Sequence, residues 1–129
     1  MSGDKDCVSL TIPARADLIG LARLALSAVC RQTRLGPDEV AELKLALTEA
    51  AGAFVSDRPG SVDGAAGRVS FDFAAEAERL VIDVAGSEQR PIADEERELS
   101  RAILEATVDE CRPSPGQVRL VKYLDRRGE

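Results

Sequence analysis

The stretch Pro37-Asp-Glu-Val-Ala-Glu-Leu-Lys-Leu-Ala-Leu-Thr-Glu-Ala-Ala-Gly-Ala-Phe-Val-Ser-Asp57 decides how the chain is read. Val40, Leu43, Leu47, Ala50, Ala51 and Phe54 recur at three- and four-residue spacing, which predicts a helix with one apolar face. Pro37 suits the first turn, where its missing N–H costs nothing, and Asp38 and Glu39 favour the positive end of the helix dipole. Glu49 falls among the small and apolar residues late in this helix. Its carboxylate is either a solvated edge position or part of a site, and the question of function turns on it.

On the N-terminal side, Cys7 to Ile12 alternates, with Val8, Leu10 and Ile12 on one face, and predicts a half-buried strand ended by Pro13. A helix from about Asp17 to Thr33 follows, with Leu18, Leu21, Ala22, Ala25 and Val29 in a wide apolar stripe beside Leu24 and Leu26. On the C-terminal side, Arg58 to Gly67 reads as a loop, from its glycines and Pro59. Val69, Phe71 and Phe73, then Leu80, Ile82 and Val84, predict two strands joined by the charged turn Glu76 to Glu78, hence an antiparallel hairpin. Gly86 to Asp94 is loop-like. A third helix is expected from about Asp94 to Cys111, with Leu99, Ala102, Ile103, Ala106 and Val108 inward. Pro113-Ser-Pro115-Gly116 is a stop, and Val118, Leu120, Val121 and Tyr123 form a last strand. The ends, 1–6 and 125–129, are expected to fray. The expected fold is one α+β domain over 1–129: a two-layer sandwich with three helices on one face of a mainly antiparallel four-stranded sheet.

The composition bounds the function. The chain has 129 residues, enough for one domain, and 44% are hydrophobic but only 3% aromatic, so the core is Leu, Val, Ile and Ala. The net charge of −6 argues against binding nucleic acid through a basic surface, and suits either an ordinary acidic protein or a partner with a basic patch. No apolar run approaches a membrane span, and the polar N-terminus lacks a signal-peptide core, so a cytoplasmic protein is expected. There is no histidine, which removes Ser–His triads and His-ligated metals. Cys7, Cys30 and Cys111 are odd in number and far apart; no metal site or disulfide framework is expected. Cys30 and Cys111 read as small core residues, and Cys7 as exposed.

Several stretches in this order resemble the bacterial anti-sigma-factor serine kinases of the histidine-kinase-like (GHKL) ATPase superfamily. They are Leu10-Thr-Ile-Pro-Ala14, Gly20-Leu-Ala-Arg23, Asp38 to Ala51, Leu80-Val-Ile-Asp-Val84, Ile103-Leu-Glu-Ala-Thr-Val-Asp-Glu110 and Val118-Arg-Leu-Val-Lys-Tyr-Leu124. The resemblance implies a Bergerat-like fold with a pocket for ATP and Mg²⁺, a sigma factor and an anti-sigma-factor antagonist as partners, and a homodimer through exposed sheet or strand edges. Glu49 matches the family's catalytic Glu, and Arg23 a first-helix Arg that meets the protein partner. Asp57 stands where a polar residue often lines the pocket.

Several positions depart from that pattern. Ala53 stands where a metal-binding Asn belongs, and a methyl group cannot ligate Mg²⁺. Gly86 replaces the adenine-binding Asp, and Glu88 the next glycine; Asp83 is out of register and is expected on the strand's opposite face. Glu98 and Ser100 stand where phosphate-contacting glycines are expected, and a carboxylate beside a triphosphate is unfavourable by roughly 4 kcal/mol per close pair at an effective dielectric near 20. The expectation is a degenerate member that sequesters a sigma factor, with no nucleotide cofactor and Glu49 as a residual group. The alternative is an active serine/threonine kinase that uses ATP and Mg²⁺ on an antagonist. Arg15 and Arg31, and the acidic run Asp94-Glu-Glu96 with Glu98, read as solvated surface charge.

Overall fold

The structure, a computed structural model, describes residues 6–55, 67–87 and 92–124. Strand β1 (Asp6–Pro13) leads through a short 3-10 turn (Ala16–Leu18) into α1 (Ile19–Cys30) and α2 (Pro37–Ala51). Then come β2 (Arg68–Ala75), β3 (Arg79–Gly86), α3 (Asp94–Thr107), β4 (Glu110–Ser114) and β5 (Gln117–Tyr123). The sheet order is β1-β2-β3-β5-β4, with every neighbouring pair antiparallel. The expected order of elements holds, but the sheet has five strands rather than four.

The extra strand corrects the reading of Asp94 to Cys111. That helix stops at Thr107, and Val108 adopts an extended backbone. Cys111 therefore lies in β4, half-buried opposite Leu120. Pro113-Ser-Pro115-Gly116 is not only a stop: its first half is β4, and Pro115-Gly116 turns the chain into β5. Gly116 takes φ +75° there, a conformation that favours glycine. Pro113 disrupted the alternation that reveals a strand, and β4 tolerates it because it is an edge.

The third helix also faces differently. Leu99, Ala102 and Ala106 are exposed, while Leu104, Thr107 and Val108 are buried and Ile103 is half-buried. The inward set Ser100, Ile103, Leu104 and Thr107 has the same spacing as the expected set, turned by about one residue, or 100°. Thr107 can be buried because its hydroxyl donates to the carbonyl of Ile103 at 2.8 Å. On α1, Leu21 and Leu24 are likewise exposed, and Ile19, Ala22, Leu26, Val29 and Cys30 point inward. Cys7 is exposed, as expected.

The core lies between the helices and one sheet face. Val69, Phe71 and Phe73 of β2 and Leu80, Ile82 and Val84 of β3 meet Leu26, Leu43 and Leu47 there. α1 packs on β1 and β2, α2 on β3, and α3 against β4, with α2 touching both other helices. Lys122 of β5 also points to the helix side, and its ammonium lies 4.0 Å from Glu39 and 4.0 Å from Asp109. The far face is polar. Ser9 donates to Asp72 at 2.6 Å, and Arg119 grips Asp83 through two bonds of 2.8 and 3.0 Å. Asp83 is thus on the face away from the helices, as the strand alternation predicts.

Candidate functional site

The candidate site is where the end of α2 meets the end of β3. α2 starts cleanly: the Glu39 carboxylate accepts a hydrogen bond from the Gly36 N–H at 3.1 Å, and Pro37 fills the first position. It ends sooner than the opening stretch suggests. After Ala51 the chain makes a tight turn, with the Phe54 N–H donating to the Ala51 carbonyl at 2.9 Å. Glu49 is therefore in the last turn of the helix, and Ala53 lies beyond it. Asp57, and most of the loop read at Arg58 to Gly67, lie outside the described residues, as do Glu88 and the tail from Asp125.

Glu49 is half-buried, and its carboxylate makes no hydrogen bond or ion pair among the described residues. Ala53 is partly buried against the core. Next to it, Phe54 is 4% exposed and lies against Gly86. A Cβ built on Gly86 would fall 2.5 Å from Phe54 Cγ and 2.6 Å from its Cβ. Carbon atoms pack at about 3.5–4.0 Å, so no side chain fits at position 86 while Phe54 is in place. The Gly86 N–H is also engaged, donating to the Gly116 carbonyl at 3.1 Å.

Sequence reasoning placed Phe54 in the core but missed this role. The signal was a reciprocal pair, a large residue after Ala53 and a glycine at the end of the third strand. Only the packing shows that the two meet.

The other candidates are not gathered at this contact. Glu98 is exposed and Ser100 half-buried, in the second turn of α3. Only the first four N–H groups of a helix are free of intrahelical bonds. In α3 those belong to residues 93–96, since the Arg97 N–H already donates to the Ala93 carbonyl at 2.9 Å, so the N–H groups of Glu98 and Ser100 are committed to the ladder. Asp94, Glu95 and Glu96 occupy the first turn, where the helix dipole favours carboxylates and where they would repel a phosphate. Arg23 of α1 reaches α2, its guanidinium donating to the Thr48 hydroxyl at 3.4 Å, one residue from Glu49. Among the described residues, no group of acidic residues and cysteines is arranged to hold a metal ion. No helix among them is long and apolar enough to cross a membrane.

The chain matches no protein-family model. It is 33% identical over 85 residues to the serine-protein kinase RsbW of Bacillus pumilus, covering 66% of this chain and 52% of that protein. It is 31% identical over 106 residues to the serine-protein kinase RsbW of Bacillus licheniformis, covering 81% of this chain and 65% of that protein. The chain thus spans between half and two thirds of the length of the curated relatives it matches. By sequence, and with a compatible α+β architecture, the chain is similar at a distance to the serine-protein kinase RsbW.

Proposed function

We propose that this chain is an anti-sigma-factor-like regulator that acts by binding a sigma factor and does not transfer phosphate from ATP. The observation that carries the reading is Phe54 seated on Gly86. It fills the space where the resemblance calls for an adenine-binding carboxylate. Ala53 offers no metal ligand, Glu98 and Ser100 stand in place of glycines, and the first turn of α3 carries carboxylates. The mechanism is steric: the domain, taken as a single unit over 1–129 in the cytoplasm, covers the sigma factor's working surface, and an antagonist releases it. Arg23 is the partner contact that the resemblance implies, and its bond to Thr48 holds it between α1 and α2.

A second reading, an ATP- and Mg²⁺-dependent serine kinase acting on the antagonist, is favoured by one observation. Glu49, in the place of the family's catalytic Glu, remains half-buried and unpaired among the described residues. The similarity to serine-protein kinases leaves both readings in play.

Calorimetric titration with ATP and Mg²⁺ separates them. The first reading expects no heat of binding up to millimolar nucleotide, together with a stable complex with a purified sigma factor. Micromolar nucleotide binding would overturn it in favour of the kinase.

A further inference from the structure

The two edges of the sheet are finished differently. β4 is 5 residues long and carries Glu110, Arg112 and Pro113. Short length, charge and proline are the devices that stop another strand from pairing with an edge. β1 lacks them over most of its length. It has 8 residues, and from Cys7 to Ala14 none is charged, in a chain that is 31% charged. It pairs with β2 alone.

The ladder shows what this edge offers. The Ala14 N–H donates to the Gly67 carbonyl at 3.0 Å, continuing the pairing of β1 with β2. Bonded pairs alternate in an antiparallel ladder, so Ile12, Leu10 and Val8 also turn their N–H and C=O groups to β2. Cys7, Ser9 and Thr11 turn theirs outward, and among the described residues nothing pairs with them. Pro13 continues the outward set, where its missing N–H costs the β2 ladder nothing.

Side chains line the edge in two rows. Val8 and Leu10 share the helix side with Ile12 of the core, and Val8 is 41% exposed. α1 lies over β1 and β2, with α2 beyond it over β3. Arg23, bonded to Thr48, marks the flank of α1 turned to α2. Leu21 and Ala25, each about 200° around the helix from Arg23, are on the flank that overhangs the open edge. Leu21 is 49% exposed. The second row is Cys7, Ser9 and Thr11, exposed on the far face, where the two hydroxyls bond Asp72 and Ser70.

We propose that the β1 edge is a docking site for an extended segment of a partner protein, which joins the sheet as a further strand antiparallel to β1. Three features specify the occupant. Outward backbone groups recur at every second residue, a spacing of about 7 Å that an extended chain matches and a helix does not. The two rows call for apolar side chains at alternate positions, against Val8, Leu10 and Leu21, with Ser or Thr between them beside Ser9 and Thr11. The edge itself is uncharged from Cys7 to Ala14, while the whole chain stands at −6. Lys or Arg therefore belongs at the ends of the segment and not in its middle. The same charge disfavours a second copy of this chain, which would bring another −6. Docking here requires neither a nucleotide nor Arg23.

The probe is the peptide acetyl-Lys-Val-Thr-Val-Thr-Val-Lys-amide, titrated calorimetrically into the full chain, with circular dichroism to establish that each variant is folded. Submillimolar binding is expected. In antiparallel pairing the threonines turn their N–H groups to β1 and the valines turn theirs away. N-methylation of both threonines should therefore weaken binding at least about tenfold, and N-methylation of the valines should change it little. Ser9→Pro removes an outward N–H, and Val8→Lys puts a charge in the apolar row without touching the Ser9–Asp72 bond. Each should weaken binding to a similar degree. Hydrogen exchange locates the peptide. In the free chain the Cys7, Ser9 and Thr11 amides should exchange faster than those of Val8, Leu10 and Ile12, and the peptide should slow the first set alone. No binding at millimolar peptide overturns the proposal, as does binding that is indifferent to threonine methylation or unchanged in both variants. So does equal protection of both sets of amides in the free chain, because a second copy or another segment of this chain would then already hold the edge.

Discussion

Replacing Gly86 with alanine separates two opposed effects whose sizes can be set against each other. Gly86 does not need to be glycine for its backbone, since the only positive φ among the described residues is at Gly116. In a strand, exchanging glycine for alanine then stabilises by about 0.5–1 kcal/mol through the unfolded chain's lost freedom. The packing opposes this. The new methyl would sit 2.5 Å from Phe54 Cγ and 2.6 Å from Phe54 Cβ, about 1 Å inside normal carbon contact. Both atoms are near the root of the side chain, so rotating the ring does not clear them, and the backbone of the turn after α2 must shift. Overpacking of this kind costs about 1–3 kcal/mol, and full expulsion of the buried ring would approach the ~3–5 kcal/mol of a Phe→Ala change. The net expectation is a loss of about 1–2 kcal/mol.

In a Phe54→Ala background the obstacle is gone, and Gly86→Ala should become neutral or stabilising. Urea unfolding of the four proteins in this cycle measures the coupling, expected at about 2 kcal/mol. A Gly86→Ala protein as stable as the wild type, or one that changes by the same amount in both backgrounds, would refute the reciprocal fit of Phe54 and Gly86. It would also remove the main support for a filled pocket.

Ala53→Asn alone should not create ATP binding, because Phe54 still fills the space beside Gly86; a measurable calorimetric affinity for ATP with Mg²⁺ would contradict this. Arg23→Glu should weaken a sigma-factor complex in a pull-down while shifting the melting temperature little, as Arg23 is exposed and makes a single long bond to Thr48. The Tyr123 hydroxyl donates to Glu110, and that bond holds the Glu110 carboxyl below, and the Tyr123 phenol above, their ordinary ranges. The Glu110 contribution to stability is present above its unfolded value and lost as pH falls through the folded one. The Tyr123 contribution is present below its unfolded value and lost as pH rises through the folded one. Tyr123→Phe should therefore flatten the stability profile below about pH 4 and above about pH 10, which denaturant midpoints across pH will read. Of the three thiols, exposed Cys7 should react first with a thiol reagent. Burial pushes Cys30 and Cys111 up, so Cys30 should react only on unfolding and Cys7→Ser should abolish the fast phase.

Much of the fold was legible in the residues. The periodicity of Val40, Leu43, Leu47 and Ala50 fixes α2, and the alternation of Val69, Phe71 and Phe73 with that of Leu80, Ile82 and Val84 fixes the central hairpin. These signals are local: they record which residues must leave water, at a spacing set by the backbone itself. The departures from the resembled nucleotide pattern are a reading from the residues alone, in which a methyl, a glycine, carboxylates and a hydroxyl are compared with the chemistry a position would need. Where the signal was ambiguous, the reading failed. Pro113 hid β4, and the apolar ridge of α3 pointed to Leu99, Ala102 and Ala106, which the structure leaves in solvent.

Two matters were decided by tertiary structure, since each depends on residues far apart in the chain. The rotation of α3 follows from what it packs against, and Thr107 can turn inward because its hydroxyl bonds the backbone of its own helix. The seating of Phe54 on Gly86 at the candidate site, finally, joins residues 32 apart in the sequence. Periodicity could mark each of those two as buried. Only the packed chain puts one in the space the other leaves, because shape complementarity between distant residues has no signature in local spacing.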